Sequence, residues 1–365
     1  MARSPRQTDL PLDQIYHGDT LELLGRLPDA CVDLVVSSPP YNLGKEYEAR
    51  TALQVYLAEQ RNVLEQCARI MKPTGSIFWQ VGAFSDRGSL VPLDIRFFPI
   101  LESLGLCPRN RIIWVRQHGL HATRKFSCRH ETILWFTKSD SYIFNLNAIR
   151  VPQKYQNKKH YRGERKGELS CNPNGKNPRD IWVFRNVKHN HEEQTIHPCQ
   201  FPEDLIARIV LATTDEGHVV LDPYMGAGTV AVVARDHGRH FMGAETDTAY
   251  HKVALRRLSG EPDENNCFPN LKTLRDYVER TGEAIETFRF DVQVGKRPSE
   301  RSKAKIYAES HHLQELEERL DYEEAAFGAD LRGEERPIDA KLNGGTKPHK
   351  RKRKPVDTQR SLFPD

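Results

Sequence analysis

The stretch HVVLDPYMGAGTVAVVARDHGRHFMGAE, residues 218–245, limits the possible folds more than any other part of the chain. An apolar run ends at Asp222, and a turn with Gly226 and Gly228 leads into an apolar helical segment. A second apolar run then ends at Glu245. Two strands joined by a helix in this way pair in parallel, so the pattern predicts a βαβ unit. The glycines let a ligand approach the backbone, and an acid about 20 residues further on is placed to accept hydrogen bonds from ribose hydroxyls.

The turn in this unit is a poor match for a dinucleotide. It lacks a full GxGxxG pattern, and it has little room or charge for a pyrophosphate. A ligand made of adenosine and an amino acid, such as S-adenosyl-L-methionine, fits it better. Because a GxG turn alone is a weak signal, the assignment depends on the rest of the chain.

The preceding part of the chain alternates between apolar, strand-like runs and segments of helical period. The predicted strands are 31–38, 76–82, 111–117 and 131–138, with 141–145 as an extension of the sheet edge, and the predicted helices are 51–75, 94–106 and 201–214. Strands that alternate with helices indicate an α/β domain with a mostly parallel sheet.

The motif SSPPYN stands at the end of the predicted strand 31–38. Pro39 and Pro40 have no backbone N–H and hold φ at about −65°, so neither belongs inside a strand ladder or a helix. The carbonyl groups beside them are left to accept hydrogen bonds, and Tyr41 places a flat ring next to these acceptors. A surface turn is the ordinary explanation of a lone PPY, so the motif needs support from other parts of the chain.

Regular periodicity is absent from about 146 to 195, and this segment is strongly basic. Between 150 and 179 there are nine Lys or Arg residues and two Glu, interleaved with Tyr155, His160 and Tyr161. Cations next to aromatic rings suit contacts with phosphates and bases, although a solvated charged loop explains the stretch equally well. The candidate DNA contacts in and before this segment are Arg124, Lys125, Arg129, Lys154, Asn157, Lys158, Lys159, Arg162 and Arg165.

Composition indicates the setting in which the chain works. The formal net charge is +4, and the seven cysteines have no CxxC spacing, which disfavours a zinc ribbon or a disulfide framework and suits a reducing cytosol. We predict no metal site, although Cys128, His130, Cys171 and Cys199 carry donor atoms. No apolar run approaches the length of a membrane span, and the first residues contain no signal-type apolar core, so we expect a cytoplasmic protein without a membrane partner.

Four separated stretches together resemble the DNA amino-methyltransferases, which modify the exocyclic nitrogen of cytosine or adenine. They are HGDTLELLGRLPDACVDLVVSSPPYN, HETILWFTKSDSYIFN, HPCQFPEDLIARIV and VVLDPYMGAGTVAVVA, and the resemblance spans about 14–258. The SPPY motif comes first, the basic stretch second and the glycine motif last, as in the β group of the family. The resemblance implies an α/β, Rossmann-like S-adenosylmethionine-dependent methyltransferase fold with a circularly permuted motif order and an inserted target-recognition region.

The resemblance also implies roles for individual residues. The Ser38 side chain and the Pro39 carbonyl would accept hydrogen bonds from the two N–H groups of the target amine, and Tyr41 would stack on a base flipped out of the duplex. Methyl transfer would then be a direct displacement, with Ser38, Pro39, Pro40 and Tyr41 as the catalytic group. The implied cofactor contacts are Asp222, Tyr224, Gly226 and Gly228, with Glu245 at the ribose, Asp19 beside the adenine, and His197, Gln200 and Phe201 at the methionine end. Asp19 also fits the N-cap of a helix that begins with DTLELL.

These assignments divide the chain into five segments. We expect the catalytic half of the methyltransferase domain in 1–145, the target-recognition region in 146–195, the cofactor-binding half in 196–258, a C-terminal helical extension in 259–328 with a helix at 313–327, and a disordered basic tail in 329–365. Double-stranded DNA is the expected partner. The resemblance also allows a homodimer and a cognate restriction endonuclease.

The target atom is open at this stage. Serine before the prolines favours N4 of cytosine, because a hydroxyl accepts an amine proton without placing a full charge beside the base, whereas adenine N6 enzymes usually have aspartate there. Methylation of RNA or of a protein glutamine is disfavoured by the motif order, and a non-catalytic DNA-binding relic is disfavoured by two intact motifs. Cys199 stands in a PCQ triplet like that of the cytosine C5 enzymes. Since the chain has no ENV segment to complete that chemistry, we expect a buried, uninvolved thiol.

Overall fold

An eight-stranded sheet organises the part of the chain that the computed structural model describes, which comprises residues 10–44, 48–86, 88–116, 122–153, 155, 158–188, 191–264, 267–282 and the two-residue strand at 289–290. The strands that the structure describes, inside and outside this sheet, are β1 (Gln14–His17), β2 (Val32–Ser37), β3 (Met71–Val81), β4 (Ala83–Asp86), β5 (Ser89–Pro92), β6 (Cys107–Val115), β7 (His130–Thr137), β8 (Ile181–Val183), β9 (Val219–Asp222), β10 (His240–Glu245), β11 (Cys267–Phe268) and β12 (Arg289–Phe290). The helices are α1 (Thr20–Arg26), α2 (Leu53–Ile70), α3 (Leu93–Ser103), α4 (Glu203–Thr213), α5 (Thr229–Asp236), α6 (Thr248–Ser259) and α7 (Leu271–Thr281). The predicted helix at 313–327 and the basic tail at 329–365 lie outside the described residues.

The sheet order is β1-β10-β9-β2-β3-β7-β6-β8. Every neighbouring pair is parallel except those of β7, which runs antiparallel to both β3 and β6. The predicted mostly parallel α/β sheet is therefore confirmed. Because β10, β9, β2 and β3 are mutually parallel, their carboxyl ends meet at one edge, where ligands of such sheets bind.

Two apolar layers cover the faces of the sheet. One contains side chains of α1, α2 and α3, and the other contains side chains of α4, α5 and α6. Phe78 and Trp79 are adjacent in β3 and enter opposite layers, as the two-residue period of a strand requires. All six residues of β2 are buried, which explains why apolar residues predominate in this strand around the hydrogen-bonded Asp33 and Ser37. None of the described helices has the length and apolar character needed to cross a lipid bilayer.

Several predicted elements differ from the structure. The segment 141–145 does not extend the sheet: Tyr142 and Phe144 pack on the ring of Trp135, and Asn145 donates its N–H to the Ala212 carbonyl at 2.6 Å, so the chain crosses towards α4. The strand β8 lies inside the segment that lacked periodicity, and its three residues are too few for a sequence signal. The helix predicted at 51–75 ends at Ile70, because the next residues join β3 beside β2.

Candidate active site and cofactor pocket

The SPPY and glycine motifs, which are far apart in the sequence, are neighbours in the sheet. β2 ends at Ser37 and pairs with β9, which ends at Asp222. The Ser37 hydroxyl donates a hydrogen bond of 2.5 Å to Asp222 Oδ1, and both side chains are buried. Asp222 Oδ1 also accepts the N–H of Tyr224 at 3.0 Å, which begins the turn of the glycine motif. The two predicted motifs therefore form one site.

The glycine loop has the left-handed backbone that glycine accommodates best. Gly226 has φ 53° and Gly228 has φ 77°. A Cβ at Gly226 would lie 3.0 Å from His197 Nε2, and a Cβ at Gly228 would lie 2.7 Å from the Cβ of Ala254. Gly226 thus leaves room for the His197 ring beside the loop, while Gly228 lets the loop pack against α6.

A cavity of about 450 Å³ lies above this loop. Of the nine residues predicted to bind the cofactor, the structure brings eight to its wall: Asp19, His197, Gln200, Phe201, Asp222, Tyr224, Gly226 and Glu245. Gly228 is the exception, since it is not part of the lining and serves as the N-cap of α5. The residues Ser38, Pro39, Pro40 and Tyr41 line the same cavity, so the predicted catalytic and cofactor residues share one space.

The acidic residues of the pocket are held by backbone N–H groups. Glu245 accepts from Gly226 at 2.8 Å and from Asp247 at 2.8 Å, and burial raises the pKa of its carboxyl. Asp19 caps α1 by accepting from Leu21 at 2.8 Å, as predicted, and still faces the cavity. Burial raises the pKa of Asp222 to about 7, against the lowering effect of its hydrogen bond from Ser37.

The loop before α4 closes one side of the cavity. Gln200 is buried, accepts from the Thr195 hydroxyl at 2.9 Å and donates to the Glu193 carbonyl at 2.8 Å. The ring of His197 packs edge-on against Tyr250, which also lines the cavity. Cys199 was expected to be buried, and this was wrong: the residue is exposed, on the loop that lines the cavity.

Tyr41 is the centre of a polar cluster at the end of β2. Its hydroxyl donates to Gln80 Oε1 at 2.8 Å, lies 3.3 Å from Glu131 Oε2, and accepts from the Ser38 hydroxyl at 3.2 Å. Burial, followed by the nearby charge of Glu131, raises the pKa of Tyr41 well above its ordinary value. The Pro40 carbonyl accepts from the Tyr56 hydroxyl at 2.7 Å, which fixes the second proline.

A second cavity, of about 900 Å³, opens on the other side of Ser38 and Tyr41. It shares these two residues, together with Cys199, Gln200 and Phe201, with the first cavity. Its wall includes Gln80, Arg116 and Glu131, which the sequence interpretation missed. Glu131 accepts from Gln80 Nε2 and forms a 2.8 Å ion pair with Arg116. The available signal was a single polar residue, Gln80, inside the apolar run SIFWQVG.

The predicted DNA contacts fall into two groups. Arg124 and Lys125 are exposed and Arg129 is half-buried, and Lys125 lines the second cavity beside the fully exposed Phe126. Lys158, Lys159, Arg162 and Arg165 are exposed on a separate loop, 158–170, which His160 and Ser170 close through backbone hydrogen bonds. Lys154 and Asn157 lie outside the described residues. Within the described ranges, no three or more His, Cys, Asp or Glu side chains are arranged to hold a metal ion.

Three features lie together at the carboxyl edge of the parallel sheet: the glycine loop, an acidic residue placed for ribose hydroxyls, and the SPPY motif. This combination defines an α/β methyltransferase domain. The family model described as DNA methylase, of the N6/N4 type, matches residues 32–256. The type II methyltransferase M.BglII of Bacillus subtilis is 58% identical over 316 residues, which cover 86% of this chain and 87% of the relative. The chain therefore belongs to the N4-cytosine/N6-adenine DNA methyltransferase family, and S-adenosyl-L-methionine is its cofactor.

Two other similarities extend this comparison. The DNA adenine methyltransferase YhdJ of Escherichia coli (strain K12) is 32% identical over 249 residues, which cover 67% of this chain and 82% of the relative. The solved structure of the cytosine-N4-specific PvuII DNA methyltransferase has a TM-score of 0.54 and 19% identity, and the match covers 76% of this chain and 94% of that structure. This second similarity concerns the fold, which agrees with the Rossmann-like methyltransferase fold expected from the sequence.

Proposed function

We propose that the chain methylates N4 of a cytosine at a specific site in double-stranded DNA, with base flipping and direct displacement. The observation that carries this proposal is the polarity of the hydrogen bonds around Ser38. Its hydroxyl lies where the two cavities join, so it faces both a cofactor and a base that enters from the DNA side.

The charged end of the polar cluster fixes the direction of each hydrogen bond. An ionised Glu131, paired with Arg116, can only accept, so the Tyr41 hydroxyl directs its proton towards Gln80 and Glu131. Tyr41 must then accept from Ser38. The Ser38 hydroxyl has no second proton to donate, so it offers a ligand its lone pairs alone.

An acceptor at Ser38 suits an exocyclic amine. The lone pair of such an amine is delocalised into the ring, and acceptors on its two N–H bonds restore it by drawing the nitrogen towards tetrahedral geometry. Since Tyr56 occupies the Pro40 carbonyl, the Pro39 carbonyl is the second acceptor that we assign. These acceptors also stabilise the positive charge that develops on the nitrogen.

The first cavity suits S-adenosyl-L-methionine, whose sulfonium supplies the methyl group as an electrophile. We assign Glu245 to the ribose hydroxyls, Asp19 to the adenine, and His197, Gln200 and Phe201 to the methionine end. Asp222, Tyr224 and Gly226 provide the floor between these ends, and Gly228 supports it from behind. Transfer would form the bond from nitrogen to the methyl carbon and break the bond from that carbon to sulfur, which would leave a neutral thioether, and the nitrogen would release one proton to water.

The second cavity and its surroundings are proposed to receive the DNA. Arg124, Lys125 and Arg129 stand beside this cavity for phosphate contacts, and Lys158, Lys159, Arg162 and Arg165 provide the target-recognition loop within 146–195. Phe126, which directly follows Arg124 and Lys125, is fully exposed, a costly position for an aromatic ring in water. We assign it to stacking on the bases next to the one that is flipped. Lys154 is retained as a proposal from the sequence.

Nucleoside mass spectrometry of mixed-sequence duplex DNA, incubated with the protein and S-adenosyl-L-methionine, tests the target. We expect N4-methylcytosine, and none with a Tyr41→Ala variant. N6-methyladenine would keep the mechanism and refute the choice of base, an outcome that the similarity to an adenine methyltransferase makes worth testing. Absence of any methylated deoxynucleoside, with cofactor still bound, would refute DNA methylation and make RNA the next substrate to test.

The biological setting is proposed from the relatives. The similarity to type II methyltransferases supports a role in a restriction-modification system in the cytoplasm, where methylation protects DNA from a cognate endonuclease. Plasmid DNA from cells that express the chain should then resist one endonuclease in a panel of type II enzymes. A homodimer, as in the β group of the family, is tested by light scattering of the purified protein.

A further inference from the structure

Helix α7 follows the region that defines the family and packs against the loop that closes the cofactor cavity. The family match ends at residue 256, whereas α7 begins at Leu271. The first turn of α7 lies against residues 191–202, the loop that carries His197 and Gln200 to the cavity, and against Glu203 at the start of α4. This contact joins an extension of unassigned role to a wall of the site.

The backbone contacts come from the N-terminus of α7. The N–H of Lys272 donates to the Glu192 carbonyl at 2.9 Å. Asn270, which is 3% exposed, caps α7 with its Oδ1 and donates from Nδ2 to the Glu193 carbonyl at 3.3 Å. One side chain thereby starts the helix and holds the loop.

The Glu193 carbonyl is shared with the cavity wall. It accepts from Gln200 Nε2 at 2.8 Å in addition to the bond from Asn270. Gln200 is buried and lines the cavity, and it also binds the Thr195 hydroxyl at 2.9 Å. The position of Gln200 therefore depends on a backbone atom that Asn270 helps to hold.

A buried charge cluster extends the same connection to the glycine loop. Lys272 pairs with Glu203, and Glu203 pairs with Arg257 at 2.7 Å. The Arg257 side chain is 1% exposed and donates to the Ala227 carbonyl at 2.7 Å and to Thr229 Oγ1 at 2.9 Å. Both Ala227 and Thr229 line the cofactor cavity.

The cluster is held together by charge compensation. Glu203 lies between two cations, which lower the pKa of its carboxyl in spite of the opposing effect of burial. The Glu193 carboxyl group, whose pKa burial raises to about 8, accepts the N–H of Glu203 at 3.0 Å and joins the loop to the start of α4. A buried ionic group costs free energy unless it is paired, so each member keeps the others in place.

We propose that α7 is a positioning element for S-adenosyl-L-methionine, which holds the 191–202 loop through Asn270 and joins the start of α4 to the glycine loop through the Lys272–Glu203–Arg257 cluster. The inference rests on the proposed assignment of the 450 Å³ cavity as the cofactor pocket. It gives the C-terminal extension a part in the methyltransferase site, with no residue of α7 itself among the residues that line the cavity.

Cofactor affinity of the full-length chain, measured by calorimetry without DNA, tests the proposal. Lys272→Met removes the charge and retains an apolar stem, and it leaves the Glu203–Arg257 pair intact. We expect the dissociation constant for S-adenosyl-L-methionine to rise about tenfold, the equivalent of ordering one or two loop side chains on binding. Lys272→Arg should restore it. Arg280→Gln, on the same helix but paired with the exposed Glu261, is the matched control and should leave it unchanged.

Two further measurements separate positioning from general destabilisation. In methylation assays, KM for S-adenosyl-L-methionine should rise in Lys272→Met and in Asn270→Ala while KM for DNA stays constant. Hydrogen exchange should accelerate at amides 193–201 and not in β2 or β3. An unchanged dissociation constant in both variants overturns the proposal, and so does a loss that follows the unfolded fraction or that Arg280→Gln reproduces. Because binding is measured without DNA, failure of the methylation assignment would be a separate result.

Discussion

The hydrogen-bond polarity at Ser38 predicts a specific coupling between two side chains. Tyr41→Phe keeps the ring and removes the hydroxyl that accepts the Ser38 proton. The freed Ser38 hydroxyl then has three staggered positions, one of which points its proton at the amine of the target base. Restricting three positions to the two that keep a lone pair on the amine is worth about RT ln 1.5, and the lost hydrogen bond adds about 1 kcal/mol at most, so kcat should fall about 1.5- to eightfold.

Ser38→Ala removes the acceptor itself. Its bond to the amine strengthens as positive charge develops, and hydrogen bonds to charged groups contribute about 1.5–3 kcal/mol, so kcat should fall about ten- to 150-fold. In the double variant Ser38→Ala/Tyr41→Phe the Tyr41 change should cost nothing more, because its hydroxyl acts through Ser38 alone. The coupling energy should therefore equal the whole effect of Tyr41→Phe.

Single-turnover methylation of a duplex oligonucleotide with saturating S-adenosyl-L-methionine measures these rates. Thermal unfolding should change little in Tyr41→Phe, since Gln80, Glu131 and Arg116 stay paired with one another. Tyr142→Phe, whose ring packs on Trp135 away from the cavities, is the control. Additive effects of the two substitutions, or a wild-type rate in Tyr41→Phe, would refute the argument that Tyr41 sets the polarity of Ser38.

Three other predictions concern the glycine loop, Asp222 and the DNA face. Gly217→Ala should lower the free energy of unfolding by roughly 1 kcal/mol through backbone strain alone, because Gly217 has a positive φ and its Cβ would enter open space. Gly228→Ala, at a similar φ, should lower it by more, because the added Cβ meets Ala254. Urea titration of both variants measures the difference. The pKa of Asp222 is about 7 in the folded chain and 3.8 for an ordinary aspartate, so between these pH values the folded state binds a proton that the unfolded state has lost. The stability that this proton contributes is present at low pH and is lost as the pH rises from about 4 to about 7. Urea titrations across this pH range should show this slope in the wild type and not in Asp222→Asn. Phe126→Ala should slow methylation of a matched duplex about tenfold, and it should slow methylation of a duplex mismatched at the target base less, because a mismatch already lowers the free-energy cost of flipping. Equal slowing of both duplexes would contradict the stacking role. The control is Ile95→Ala, since Ile95 is also apolar and is 61% exposed away from the cavity.

The sequence predicted best what local periodicity and motif order encode. The strand β2 and the helix α4 were placed within two residues at each end, and β9 and β10 end at the predicted Asp222 and Glu245, since their apolar runs are bounded by Asp, Glu or Pro. Asp19 was also placed correctly as a helix cap, because an aspartate before a helical period has a local function. Eight of nine cofactor candidates line one cavity because strand ends converge at one edge.

The sequence could not predict contacts that depend on tertiary packing. Glu131 opens β7 and resembles an ordinary charged residue at a strand start, and its role depends on the pairing of β7 with β3. The exposure of Cys199 depends on the path of a loop without periodicity. Asn270 and Lys272 lie in a stretch that resembles any polar helix, and only the approach of α7 to Glu193 and Glu203 distinguishes them.

The hydrogen bond from Ser37 to Asp222 joins two halves of the site that are separated by most of the described chain. Strands β2 and β9 meet through sheet pairing and this buried bond, and not through proximity in the sequence. Two separately expressed fragments, divided within the exposed loop 161–170, should therefore reassemble by pairing β2 with β9. When each fragment is fused to one of two proteins whose association can be induced, DNA methylation would depend on that association. Ser37→Ala in one fragment would weaken spontaneous reassembly and so lower the methylation activity in the absence of the inducer.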